Sequence, residues 1–351
     1  MLTSEKQSQQ VFNGSSHEPF LAPRGVHYSH HGLLVADTGR NRVLFWSSVQ
    51  KASFQEPDLI LGNQEKEVSA SSMHYPSGVW TNGIQLAVAD AWNHRVLLWL
   101  NFPVRNFQPA DVIIGQPDEY SSLPNGKGIN QHPGPETLYW PYGVWSNGNH
   151  LCIADTGNRR ALLFNDFPAS NFSPAHAVCG QPDFFSRDYD SSNAIWPYSV
   201  KIGPNDELAV TDTAYYRVLL WQDYTRAFAG QPADTIIGQV DFSASGQNQN
   251  RMKPDSHTLS WCYDTAFHNR GIWVADTGNS RILYWPELPK MSNAKASELI
   301  GQPDFTTGSE NPDSVRNSRG YLYWPFSVSI YEGCLALADT GNHRIVFTRI
   351  S

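Results

Sequence analysis

One short segment of this 351-residue chain sets three reactive side chains in a row: Cys262, Tyr263 and Asp264. A thiol and a carboxylate two residues apart on a strand project to the same side. There Asp264 can act as a base, hold a metal ion or anchor a cationic ligand, with a hydrogen-bonded turn residue as the structural alternative. Cys262 as a nucleophile needs a histidine beside it, and the sequence sets none there. Tyr263 can serve as acid or base, as can Tyr142 and Tyr198, which open comparable segments. Arg24 and Lys201, also in comparable segments, supply positive charge.

Aromatic residues recur just before these positions. The series runs His74-Tyr75-Pro76, Tyr139-Trp140-Pro141, Ile195-Trp196-Pro197, Ser260-Trp261-Cys262 and Tyr323-Trp324-Pro325. Tyr142, Tyr198, Tyr263 and Phe326 follow, and the first counterpart reads Ala22-Pro23-Arg24. Tyrosine and tryptophan give rigid apolar surface with a polar handle, and can stack on a planar ligand or cage a cation. Packing between sheets accounts equally well for any single tryptophan. As a set, the candidate ligand-binding residues are Tyr75, Trp140, Tyr142, Trp196, Tyr198, Trp261, Trp324 and Phe326, with Arg24 and Lys201.

These segments are comparable because the chain repeats. An Asp followed five residues later by an Arg occurs at Asp37/Arg42, Asp90/Arg95, Asp155/Arg160, Asp212/Arg217, Asp276/Arg281 and Asp339/Arg344, the Asp residues 53 to 65 apart. The fullest copies read Ala-Asp-Thr-Gly-Asn-x-Arg. A catalytic group is needed once, so six matching copies read as scaffold. Between signatures the pattern is strand and turn. In the third unit, Tyr142–Ser146 reads as a strand and Asn147-Gly148 as a two-residue hairpin turn. Strands follow at Leu151–Ala154, Ala161–Phe164 and His176–Cys179. Four short antiparallel strands per unit describe a propeller blade. The expected fold is all-β: a six-bladed β-propeller with four antiparallel strands per blade. The last unit stops after its third strand, and Gln10-Val11-Phe12 precedes the first. Residues 1–16 are therefore expected to donate the outer strand of the last blade, and residues 17–351 to form the single propeller domain.

The Ala-Asp-Thr-Gly-Asn-x-Arg-Val-like signature with its upstream Pro-x-x-Val resembles NHL-repeat β-propellers over residues 20–351. The recurrent Gly-Gln-Pro-Asp after the fourth strand looks like a bacterial branch of solitary NHL propellers. The resemblance implies a fold more than an activity, since such propellers include RNA-binding and protein-binding modules, sensor domains and a metal-dependent amidating lyase. That lyase holds zinc on channel histidines. The twelve histidines here share no repeat position, so no metal ligands are assigned. A divalent metal in the central channel is the cofactor an enzyme of this kind would use.

Function is expected where the repeats differ. Long connections at 65–74, 119–138, 184–194, 242–258 and 305–320 leave on the same face as the Asp-Thr-Gly-Asn turns, the usual setting for recognition. The net charge of −8 and the lack of a basic block argue against a nucleic-acid partner. The N-terminus lacks a signal-peptide pattern, no apolar run spans a bilayer, and the four cysteines form no CxxC pair. A cytoplasmic protein without a membrane partner is expected. The first expected function is binding of a small molecule, peptide or protein at an aromatic-lined central funnel and the loop-rich top face. The alternative is a lyase or hydrolase at the channel mouth, built on Asp264, Cys262 and Tyr263.

Overall fold

A computed structural model describes residues 9–15, 17–48, 56–63, 67–188, 196–311 and 320–350. Ile195, Gln64 and parts of the long connections at 65–74, 184–194 and 305–320 lie outside the described residues, as do residues 1–8 and 16 of the donated segment. The fold is a six-bladed β-propeller: six sheets, each of four antiparallel strands. The third blade shows the plan, with strands Pro141–Ser146, Leu151–Asp155, Arg160–Phe164 and Ala177–Cys179 running outward from the axis. Among the described residues the only α-helix is the five-residue Tyr224–Phe228, capped by Asp223. No helix there is long and apolar enough to cross a membrane.

The second and third strands of each blade bury both faces, so their sequences read as continuous apolar runs such as Arg95–Trp99. They feed six apolar cores, each shared by two neighbouring blades. The core between the last and first blades contains Phe12 of the N-terminal strand Gln10–Phe12. That strand pairs antiparallel with Arg344–Arg349 and completes the last blade.

The repeated motif is a set of staples. Each Asp accepts a backbone N–H from its own blade's inner-strand entrance, as in Tyr139 N to Asp155 Oδ1 at 2.7 Å. Its other oxygen takes the Nε of the repeat Arg, at 2.6 to 2.9 Å in all six blades. The Thr hydroxyl crosses to the next blade: Thr38 donates to Pro76 O at 2.7 Å, and Thr340 closes the ring on Pro23 O at 2.5 Å. The second blade has Ala91 in this place. The Gln of Gly-Gln-Pro-Asp ties the long connection down, with Gln116 Nε2 donating to His94 O and Leu123 O. Its Asp caps the following turn, as Asp118 does for Tyr120 N and Ser121 N.

Candidate functional site

The six inner strands converge on the axis: Gly25–Ser29, Pro76–Thr81, Pro141–Ser146, Pro197–Ile202, Cys262–His268 and Pro325–Tyr331. Their backbones pack so closely that a Cβ at Gly25 would lie 1.8 Å from Ser77 O, and one at Gly143 2.5 Å from Tyr198 O. The other blades place Gly78, Ser199, Asp264 and Ser327 at this level. Asp264 is the only one that brings charge.

Just before this level the side chains form a closed collar. Tyr142 stacks on Tyr198 with ring centroids 4.7 Å apart, Tyr198 meets Tyr263 at 4.6 Å, and Tyr263 meets Phe326 at 4.3 Å. The Arg24 guanidinium lies 4.0 Å from the Phe326 centroid and 5.0 Å from that of Tyr75. Tyr75 completes the circuit at 6.3 Å from Tyr142. Ser77, the sixth residue at the collar position, is too short, and Tyr75 from two residues earlier fills the gap. Burial pushes the Tyr263 phenol up to about 12 and raises that of Tyr198 further. Both stay protonated near neutrality and can donate a hydrogen bond.

Below the collar a cavity of ≈ 490 Å³ runs along the axis to Asn147, Pro204 and Tyr331 at the opposite end. Asp264 lies in its wall and is fully engaged. Its Oδ1 accepts from Ser199 Oγ at 2.7 Å, Thr265 N at 2.8 Å and Lys201 Nζ at 2.7 Å. Its Oδ2 accepts from Ser327 Oγ at 2.8 Å and Val328 N at 3.0 Å. Lys201 Nζ also donates to Thr265 O at 2.5 Å. Asp264 thus ties three neighbouring blades together at the axis.

Cys262 is elsewhere. The strand register shifts between Cys262 and Asp264, so the two side chains do not project together. The Cys262 thiol is fully buried among Ala209, Val218 and Leu220 and donates to Arg217 O at 3.2 Å. Burial holds its pKa well above the ordinary thiol value. Trp140, Trp196, Trp261 and Trp324 lie outside the cavity wall, each 38 to 44% exposed on the face that bears the Asp-Thr-Gly-Asn turns. Trp140, Trp261 and Trp324 have left-handed backbones, with φ of 49 to 51°, as does the collar residue Tyr75 at 60°.

Beside Lys201, the structure adds residues the sequence had not singled out as candidates. Two positions past Asp264 and its counterparts, the blades carry His27, Trp80, Trp145, Lys201, Ala266 and Ser329. All but Trp80 line the cavity. Of the two tryptophans at this position, Trp145 lines the cavity and Trp80 packs in the core between the second and third blades, whereas Ala266 and Ser329 line the cavity with small side chains. His27 Nε2 is buried without a hydrogen-bond partner. Burial, and then the Lys201 charge, bring the His27 pKa down to about 4, so its ring is neutral near pH 7. Among the described residues, no three His, Cys, Asp or Glu side chains converge as a metal site. The donor set around Asp264, two hydroxyls, two amides and an ammonium, is the reverse of what a cation needs.

His94 shows how the blades latch. Its Nδ1 accepts from Trp140 N at 3.1 Å, as Asn41 Oδ1 accepts from Tyr75 N at 2.9 Å one blade earlier. Burial, with His74 nearby, lowers the His94 pKa from 6.5 to about 4. The folded value lies below the unfolded one, so the contribution is full above pH 6.5 and is lost as pH falls toward 4. Stability measured by urea unfolding should fall over this window, with His94 contributing on the order of 2 kcal/mol. His94→Asn, which keeps an acceptor as Asn41 does, should flatten that slope. Equal slopes in both proteins would assign the titration to another group.

The fold and the site together define a six-bladed propeller with a collared axial cavity. Among solved structures, the chain is similar to a streptogramin B lyase at 12% identity, over 98% of each chain, with a TM-score of 0.52. It is also similar to selenomethionine-substituted virginiamycin B lyase from Staphylococcus aureus at 11% identity, over 99% of this chain and 100% of that one, with a TM-score of 0.53. At these identities the likeness is one of fold. No family model and no curated protein matches the chain.

Proposed function

We propose that this chain is an NHL-type propeller that binds a small ligand in its axial cavity. The observation that carries the reading is the cavity itself. Its volume of ≈ 490 Å³ is that of a small-molecule pocket, and it holds polar groups at several levels. Arg24, Tyr142, Tyr198, Tyr263 and Phe326 cover one end of the ligand, with Tyr75 bracing the collar. Lys201, held by Asp264, and His27 orient the ligand lower down. Trp140, Trp196, Trp261 and Trp324 offer a second, exposed surface to a peptide or protein on the turn-bearing face.

The test fills the cavity. Ala266→Trp installs the residue that Trp145 already provides at the equivalent cavity-lining position. Compounds that stabilise the wild-type protein in a thermal-shift screen should lose at least about tenfold in affinity for this variant. Hits that bind the variant equally well would place the site elsewhere and sink the reading.

A second reading, a lyase or hydrolase, is favoured by His27. His27 lines the cavity with a neutral imidazole, and its buried Nε2 has no hydrogen-bond partner, so a small shift of the ring would bring a proton acceptor to the cavity. The two similar structures are lyases. In this reading His27 moves the proton, Asp264 holds Lys201 in place, and Tyr263 donates a hydrogen bond. Cys262 would have to leave the core to take part.

A further inference from the structure

We propose that the cavity ligand is an organic anion, a carboxylate or phosphate ester on a planar apolar body, whose charged group seats on Arg24. The inference rests on the cavity-binding reading above and adds the chemical class of the ligand.

The first ground is charge balance. Of the cavity's charged groups, Lys201 and Asp264 pair at 2.7 Å and cancel. Arg24 remains, and among the described residues no carboxylate pairs with it. A cation kept at the rim of a cavity without a counter-ion, in a chain of net charge −8, is a vacancy for a negative group.

The second ground is geometry. The Arg24 Cζ lies over the rings of Phe326 and Tyr75, at 4.0 and 5.0 Å from their centroids. These ring contacts hold the cation in place without neutralising its charge. Its N–H groups suit the paired oxygens of a carboxylate or phosphate.

The third ground is the repeat. Four of the other blades place Tyr142, Tyr198, Tyr263 or Phe326 at the Arg24 position. A ring there would close the collar by packing alone, so closure does not require a charge. The same rings offer flat surface to a planar body. His27 follows Arg24 by three residues, roughly 10 Å along a strand, and its Nε2 has no partner. An elongated ligand seated on Arg24 would reach the level of the His27 ring, which lines the cavity.

Isothermal titration of the full chain with 4-hydroxycinnamate, its neutral amide and phenyl phosphate tests this. In the wild-type protein the acid should bind at least about tenfold more tightly than the amide. Arg24→Gln should remove the preference for the acid over the amide, the acid losing at least about tenfold more affinity than the amide. Arg24→Tyr, which restores the residue of three other blades, should do the same with an intact collar and covers a folding failure of Arg24→Gln. The tighter of the acid and the phosphate identifies the anion. Equal binding of acid and amide, insensitive to Arg24 but lost in Ala266→Trp, overturns the anion and leaves the cavity reading standing. Binding that survives Ala266→Trp, or no binding of any probe at millimolar concentration, overturns both.

Discussion

Deletion of residues 1–16 should lower the thermal midpoint by roughly 5 to 10 °C and promote self-association. The strand Gln10–Phe12 lies against Arg344–Arg349, with Val11 opposite Val346 and Phe12 opposite Ile345. Phe12 is 3% exposed and meets Phe20 and Trp46 edge-to-face at 5.2 and 4.9 Å. Losing such a ring from a core costs about 3–5 kcal/mol, and the deletion also removes three residues of strand pairing. The last blade is then left with an apolar strand at its edge, a template for pairing with another chain. Phe12→Ala should account for most of the stability loss without exposing the edge. Calorimetry and size-exclusion chromatography of both proteins separate the two effects. A truncated protein that melts unchanged as a monomer would show that the strand adds nothing to closure.

The blades were legible in the sequence because six copies repeat the same local signals. The Asn147-Gly148 hairpin and the apolar run at Arg160–Phe164 each point to one answer, and the other units agree with it. The unpaired Gln10-Val11-Phe12 and the short last unit likewise implied one another. What failed was parity. The expectation that Cys262 and Asp264 share a face assumes a regular strand, yet a register shift lies between them. The same irregularity recurs at Pro141/Gly143, Pro325/Ser327, Pro76/Val79 and Pro197/Val200. A bulge of this kind turns one residue into the inter-blade core and the next toward the axis. It is set by backbone angles that no residue type there announces.

Much the same holds for the aromatic sets. Residue type alone did not separate the tryptophans from the tyrosines that follow two residues later. The fold separates them, leaving the indoles exposed on one face and sending the next set into the collar. The cavity was legible in principle. Setting His27, Trp80, Trp145, Lys201, Ala266 and Ser329 in one column shows two small residues among large ones. Only the ring closure that brings all six columns to one axis makes that difference a space.

Asp155→Ala should destabilise the protein by about 3–5 kcal/mol, the cost of leaving a buried charge without its partner. Asp155 and Arg160 are both fully buried, with Nε donating to Oδ2 at 2.8 Å. Arg160 also donates to the carbonyls of Phe184, Gly134 and Thr137, so it cannot swing out to water without releasing two connections. Removal of the carboxylate orphans the Tyr139 N–H, 2.7 Å from its Oδ1, and takes one of two acceptors from Asn158 Nδ2, which keeps Asn125 Oδ1. Asp155→Asn keeps an oxygen for Tyr139 but turns an amide N–H₂ toward Arg160, so most of the loss should remain. Asp90→Ala, which strands Arg95 in the second blade, should cost a similar amount, because Arg95 holds Glu119, Ser69 and Ser72 carbonyls in the same way. Urea unfolding measures each loss, and affinity for a cavity ligand, taken well below the midpoint, should not change. A variant that kept its stability but lost its ligand would move the motif from scaffold to site.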